Sequence, residues 1–256
     1  MHINLSDALK KREEKEPAIN LNELKNYKLV LKYPNKIKKG DIVLNGGLTD
    51  EIRSEIYNGR FIKRFLSDVY GVYINKKLDS SSNLYEIYKS SMAAAAGKRG
   101  LDRALMVAAS VYSQLYYRMM EYTDSYSKKK GIMTSADLLY LDKGNSLKGK
   151  AVDIEYSLVD GPFLCHEFAV TLSFLLDKEK RRTGLKPFYV MGMVEIYGEK
   201  AEHCWVELRN KKDGRILFDP IYNVVQPLNE GQVYVVAANG TKYWIDNGPL
   251  ILRRIY

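Results

Sequence analysis

The sequence predicts an α+β fold, with a helical N-terminal half followed by an antiparallel sheet. Three observations carry that expectation. Leu101, Ala104, Leu105, Ala108, Tyr112, Leu115, Met119 and Tyr122 hold a 3.6-residue apolar stripe. Strand-like segments follow one another from Phe188 onward. Between two of them, Lys211 to Gly214 reads KKDG, whose Asp-Gly turn is a hairpin signal.

The elements follow in order. A short amphipathic helix is expected over Ser6 to Glu16, ended by Pro17. Tyr27 to Tyr33 alternates like a strand, Asp41 to Leu44 is a second, and Gly46-Gly47 marks a loop. Thr49 fits the N-cap of a helix from Asp50, and Phe61, Phe65, Leu66 and Val69 continue at helical spacing. Ser80 to Ser82 form a loop and helix start, and the chain then favours helix from Leu84 to Ala96. Gly100 precedes the striped helix, Lys128 to Gly131 closes it, and Lys143 to Lys150 (KGNSLKGK) reads as a polar loop. In the last hundred residues Cys165, Phe168, Ala169, Leu172, Leu175 and Leu176 share one helical face between Gly161-Pro162 and Gly184. Strands are expected at Phe188 to Tyr197, His203 to Leu208 and Ile216 to Asp219. Weaker ones are expected at Val233 to Ala237, Lys242 to Ile245 and Ile251 to Ile255.

Composition bounds the function. With 46% apolar and 28% charged residues in 256, the chain can bury a sizeable core. No apolar run nears the roughly 18 residues of a spanning helix, and the charged start lacks an apolar signal core. Two cysteines make no disulfide framework or four-cysteine zinc site, so a reducing, cytoplasmic setting is expected. The net charge of +9 is spread over short runs at Lys36 to Lys39, Lys128 to Lys130 and Lys178 to Arg182. No nucleic-acid signature accompanies them, so they read as solvated faces, with nucleic acid the less favoured partner. The 20 tyrosines read as much as codon bias as chemistry.

Cys165 lies at a predicted helix start, where free N–H groups and the positive end of the dipole favour thiolate. His203 shares its strand face with Trp205 and Glu207 because side chains alternate. Asp219 ends the next strand and precedes Pro220, and the hairpin brings it beside His203. A carboxylate there accepts the imidazole N–H, fixes its tautomer and stabilises imidazolium. If the helix start docks on the hairpin, thiol, base and orienting carboxylate converge.

Cys-x-Glu-x-Ala (Cys165, Glu167, Ala169), His-x-Trp (His203, Trp205) and Asp-Pro (Asp219, Pro220), in that order, resemble the transglutaminase-like cysteine-protease superfamily. That group includes tissue-type transglutaminases, archaeal and bacterial thiol proteases and peptide N-glycanases. The resemblance covers about residues 155–222, with gaps of 38 and 16 residues between the three positions. It implies a papain-like or transglutaminase-like core with one nucleophile-bearing helix packed on an antiparallel sheet. Cys165 would be nucleophile, His203 general base and then acid, and Asp219 the orienting group. The approach Gly161-Pro162-Phe163-Leu164 differs from the Gly-x-Cys of many members, and the Cys-x-x-Cys zinc ligands of peptide N-glycanases are absent.

The expected organisation is a mainly helical front region over 1–140, with a short β segment near 27–44, and a catalytic core over 141–256. The expected activity is thiol-dependent acyl transfer, hydrolysing a peptide bond or glutamine carboxamide of a protein or peptide substrate without cofactor or metal. The alternative is a non-catalytic module of the same fold with a basic, polyanion-binding surface. His166, about 100° round the helix from the nucleophile, is expected at solvent or at the rim of a cleft. Trp205 is expected either as a cleft wall or as core, and Glu167 as a cap, ion-pair partner or surface acid. Cys204 is expected as a core thiol on the opposite sheet face from His203.

Overall fold

The structure is a computed structural model and describes residues 19–20, 28–30, 36–45, 70–74, 82–159, 161, 163–210, 214–230 and 232–245. Five helices occur among these residues: α1 (Asn83–Ala94), α2 (Gly100–Lys130), α3 (Ala136–Leu147), α4 (Ile154–Val159) and α5 (Cys165–Thr183). Five strands build a first sheet: β1 (Ile19–Asn20), β2 (Lys28–Val30), β3 (Asp41–Asn45), β4 (Tyr70–Tyr73) and β5 (Lys150–Asp153). Six build a second: β6 (Lys186–Ile196), β7 (Glu199–Arg209), β8 (Arg215–Asp219), β9 (Val224–Leu228), β10 (Tyr234–Val236) and β11 (Lys242–Trp244). The fold is therefore mixed α+β, as expected.

Local chemistry sets the helices. Ser82 caps α1, accepting the Tyr85 N–H, and Ser135 caps α3, accepting the Leu138 N–H. Gly131 and Gly184 end α2 and α5 at positive φ, 67° and 69°, a conformation glycine adopts without a Cβ penalty. Arg103 ties three helices together. It donates to Glu179 of α5 at 2.8 Å and to the C-terminal carbonyl of Ala95 after α1 at 2.6 Å. Tyr88 completes the cluster on the same carboxylate.

Two expectations change here. Residues 143–147 are not loop but the last turns of α3, because Ser135 starts that helix and Lys143 reaches from it into the interior. The stripe of α2 is rotated: Val107, Val111 and Thr123 are buried, while Leu101 is exposed. The expected helices at 6–16 and 50–69, the strand at 251–255 and residues 211–213 of the hairpin turn lie outside the described residues.

The first sheet has the order β1-β5-β4-β3-β2 and is mixed, since β2 with β3 and β4 with β5 pair in parallel. The second is antiparallel throughout, ordered β10-β11-β6-β7-β8-β9. It curls until it is nearly closed. Val224 and Leu228 of β9 and Val235 of β10 share one apolar cluster with Val190, Val194, Trp205, Leu217 and Tyr243, although β9 and β10 are not paired. Its other face packs on α5 through Tyr189, Cys204, Val206, Leu208, Ile216 and Phe218. That helix-side cluster extends from Ile37 to Phe218, and the expected division at residues 140 and 141 falls inside α3.

Gly192 shows how tightly the curled face is packed. It lies opposite His203, and a Cβ there would run into the outer edge of the Trp205 indole. Glycine mid-strand marks such a close approach. Gly192→Ala should cost about 1–3 kcal/mol by overpacking, read as a lower midpoint at unchanged slope in urea unfolding. An unchanged midpoint would mean that Trp205 has room to move.

Candidate active site

The site forms where β8 stops. Its ladder with β7 ends at the pair Val206 and Phe218, and Asp219 is followed by Pro220, which has no N–H to continue pairing. Beyond Val206, β7 runs on with β6 alone on its other side. The N-terminus of α5 reaches this uncovered edge. Cys165 is the first residue of α5, and the Cys204 thiol, the His203 ring and the Cys204 backbone N–H are the groups that favour its thiolate.

The imidazole is held on both sides. Its Nε2 lies 2.6 Å from Asp219 Oδ2, which leaves Nδ1 for the Cys165 sulfur. Asp219 is fully buried and satisfied. Oδ2 also accepts the Tyr243 hydroxyl at 2.8 Å, and Oδ1 accepts the Ile221 N–H at 3.0 Å in a turn closed by the side chain. The ring packs against Trp205 at 6.2 Å, Tyr222 at 5.0 Å and Tyr243 at 6.4 Å between centroids. Cys165 is partly exposed and Tyr222 half-buried.

The electrostatics favour thiolate and imidazolium. The hydrogen bond from Cys204 holds the Cys165 thiol well below its ordinary range; burial opposes this, and the hydrogen bond and charge of His203 reinforce it. Burial also works against a charged His203, yet the hydrogen bonds to Asp219 and Cys165 raise it to about 10. Burial and the neighbouring Cys165 push the Cys204 thiol well up, so it stays a proton donor. Folding linkage follows in sign. The raised imidazole stabilises the fold fully below its ordinary 6.5, and that contribution is lost as pH rises through about 10. The depressed thiol stabilises the fold above its ordinary range, and that is lost as pH falls through its folded value. The two shifts describe one ion pair.

A buried carboxylate sets the helix start. No side chain caps the first turn, but Glu167 Oε2 accepts the Leu164 N–H at 3.3 Å. Its Oε1 meets Lys143 Nζ at 2.9 Å and the Tyr70 hydroxyl at 2.9 Å. Burial disfavours the charge, but Lys143, with His166 and Tyr70, keeps the carboxyl below its ordinary range. Glu167 is thus the interior anchor of α5 rather than a surface acid.

The remaining expected residues fall as follows. His166 is a correction. It is fully buried, its Nδ1 3.0 Å from the Tyr189 hydroxyl and its ring beside Tyr70, because the first sheet covers the α5 face that was expected to be open. Trp205 is core, 1% exposed, beneath the imidazole. Cys204 lies in the helix-side core as expected, and Cys165 packs against the same cluster. Tyr243, Tyr222, Tyr189 and Tyr70 were not singled out from the sequence. Tyrosines scattered through a tyrosine-rich chain carry no spacing signal that could have found them. Among the described residues no group of three or more His, Cys, Asp or Glu could hold a metal ion. No described helix is long and apolar enough to cross a membrane. Compared with family models, curated proteins and solved structures, the chain matches none.

Iodoacetamide should alkylate Cys165 well below neutral pH, with its rate inflecting under the free-thiol value of about 8.5. His203→Ala should move that inflection upward. A wild-type curve like that of a free thiol would remove the ion pair.

Proposed function

We propose that the chain is a thiol acyl-transfer enzyme that hydrolyses amides of protein or peptide substrates, either a peptide bond or a glutamine carboxamide. The observation that carries this reading is one imidazole shared between a buried carboxylate at 2.6 Å and the sulfur at a helix start. The Cys165 thiolate attacks the amide carbonyl carbon, and the oxyanion forms near the Cys165 backbone N–H at the positive end of α5. His203 Nδ1–H protonates the departing nitrogen, leaving an acyl-enzyme and a neutral ring. Nδ1 then takes a proton from water, whose oxygen attacks the acyl carbon, and Cys165 leaves as thiolate. Asp219 and Tyr243 keep Nε2 protonated throughout, so that Nδ1 is the nitrogen that exchanges protons. Water is the acceptor this reading assigns. The order of the three residues also resembles the transglutaminase-like cysteine proteases, and the reading extends that resemblance to their chemistry.

Turnover should appear in a panel of peptide amides, an unfolded protein and glutamine peptides, followed by new amine and free ammonia. Cys165→Ala should abolish it, and His203→Ala should lower kcat about 10²–10⁴-fold. No turnover and no acyl adduct by intact mass, in protein whose Cys165 still alkylates as a thiolate, would overturn the proposal.

One observation favours the second reading, a polyanion-binding surface. Residues distant in sequence converge on a groove of about 700 Å³ lined by Lys98, Arg99, Arg103, Arg181 and Arg182. Arg103 is already committed to Glu179, and the other four are exposed. The groove lies at the far end of α5, about 24 Å along the helix from Cys165. Heparin binding should weaken steeply between two salt concentrations, and Arg181→Glu with Arg182→Glu should reduce it. No binding at low salt dismisses this reading.

A further inference from the structure

We propose that the corner between α2 and α3 docks on an anionic lipid bilayer. Ile132, Met133, Leu138 and Leu141 enter its surface, and Lys128, Lys129 and Lys130 meet the headgroups. The inference goes beyond acyl transfer and does not rest on it. α2 buries its last side chain at Thr123, and no residue from Asp124 to Leu138 is buried. Backbone hydrogen bonds nevertheless fix this end. Gly131 ends α2 at φ 67°, and its N–H and that of Ile132 both reach the Ser127 carbonyl, the latter at 3.2 Å. Ser135 then caps α3, so Ile132 and Met133 occupy the connection between two terminated helices. Met133 is 100% exposed, and Ile132, Leu138 and Leu141 are each more than half exposed. Leu138 and Leu141 lie three apart on the outer face of α3, turned away from buried Leu139 and from Lys143, which points inward. Single apolar side chains are ordinary on a surface, but four large ones within ten residues form a patch.

Charge selects the occupant. Lys128, Lys129 and Lys130 form the last turn of α2, and all three are exposed. From Lys128 to Leu141 the only opposing charge is Asp137, in the first turn of α3, where the helix dipole favours a carboxylate. Behind the lysines Tyr126 stacks on Tyr122 at 6.4 Å between centroids, and tyrosine is favoured at the level of lipid headgroups. An apolar tip with a basic collar is the chemistry by which a protein lies on a lipid surface. The apolar side chains enter the acyl boundary, and the lysines stay with the anionic headgroups. A stable protein partner takes roughly 20–30 residues a side, and the 14 residues from Lys128 to Leu141 offer fewer. The basic groove at Lys98, Arg99, Arg181 and Arg182 is a separate feature, at the opposite end of α2 and about 45 Å along that helix.

The test is cosedimentation of the full chain with vesicles of phosphatidylcholine, alone or mixed with phosphatidylglycerol. The chain should pellet with the anionic vesicles and stay in solution with the neutral ones. Ile132→Ser with Met133→Ser should abolish pelleting. Lys128→Gln, Lys129→Gln and Lys130→Gln together should weaken it about 10²-fold. These five side chains are exposed, so both variants should keep the wild-type thermal midpoint. Arg181→Glu with Arg182→Glu, in the groove, should leave pelleting unchanged; its loss there would assign lipid binding to the groove and overturn the proposal. Pelleting that survives the serine variant, equal pelleting with neutral vesicles, or none at low salt also overturns it. So does a dimer by light scattering that comes apart in the serine variant while the wild type ignores vesicles, which would give the corner to a second copy. Amide turnover is not read, so either result leaves the acyl-transfer reading standing or falling on its own test.

Discussion

A strand that stops early is the constraint on which the site depends. β8 ends at Asp219 because Pro220 cannot donate a further ladder hydrogen bond, so the edge of β7 at His203 and Cys204 has no strand partner on that side. Unpaired backbone donors in an interior are costly, and the Cys204 N–H at this edge helps to favour the Cys165 thiolate. The same stop leaves the last carboxylate of β8 beside the imidazole and lets the Ile221 N–H close on it. The neighbourhood of thiol, imidazole and carboxylate thus depends on one interruption of a sheet.

Burial and pairing pull in opposite directions at this edge, and pairing wins. Removing charges from water disfavours them, and an unpartnered buried ion costs several kcal/mol. Every charge at the site is accordingly matched. Asp219 receives three donors, His203 is paired with Asp219, and the Cys165 thiolate is favoured by the Cys204 and His203 groups around it. Glu167, two residues along, is matched by Lys143, Tyr70 and Leu164. The curled sheet supplies the dry environment that strengthens these contacts, because hydrogen bonds gain strength as water is excluded. Trp205 illustrates the coupling: its indole fills the space over Gly192 and supports the imidazole from below.

The second half of the fold was legible in the sequence, since local signals there agree with tertiary placement. Strand alternation put His203 and Trp205 on one face and Cys204 on the other, and the turn at Gly214 set the register with Arg209 opposite Arg215. The face of α5 was read less well. A helix covered on both sides needs no polar face, and residues 166–176 are all buried, which hid the role of Glu167 and misplaced His166. Such a carboxylate looks like a surface acid until its cation, 24 residues earlier in the chain, is known. The mixed first sheet escaped for a related reason: its parallel pairs are not joined by tight turns, and β4 and β5 lie far apart in sequence, so no turn signal exists. The two residues of β1 are too few to show a period of two, and β9 does not alternate, since only its end residues Val224 and Leu228 are buried.

The helix that begins at Cys165 consequently belongs to both halves of the chain. Its sulfur is set by β7 and its chemistry by Asp219, but its starting point is set from the front. Lys143 of α3 and Tyr70 of β4 hold Glu167, and Tyr112 of α2 packs on Phe168 one residue later, at 5.5 Å. A helix shifted by a single residue turns its side chains by about 100°, enough to carry the Cys165 sulfur off the strand edge. The front half therefore acts on the site without supplying Cys165, His203 or Asp219. It fixes the rotation of α5, and that rotation decides whether the sulfur faces His203.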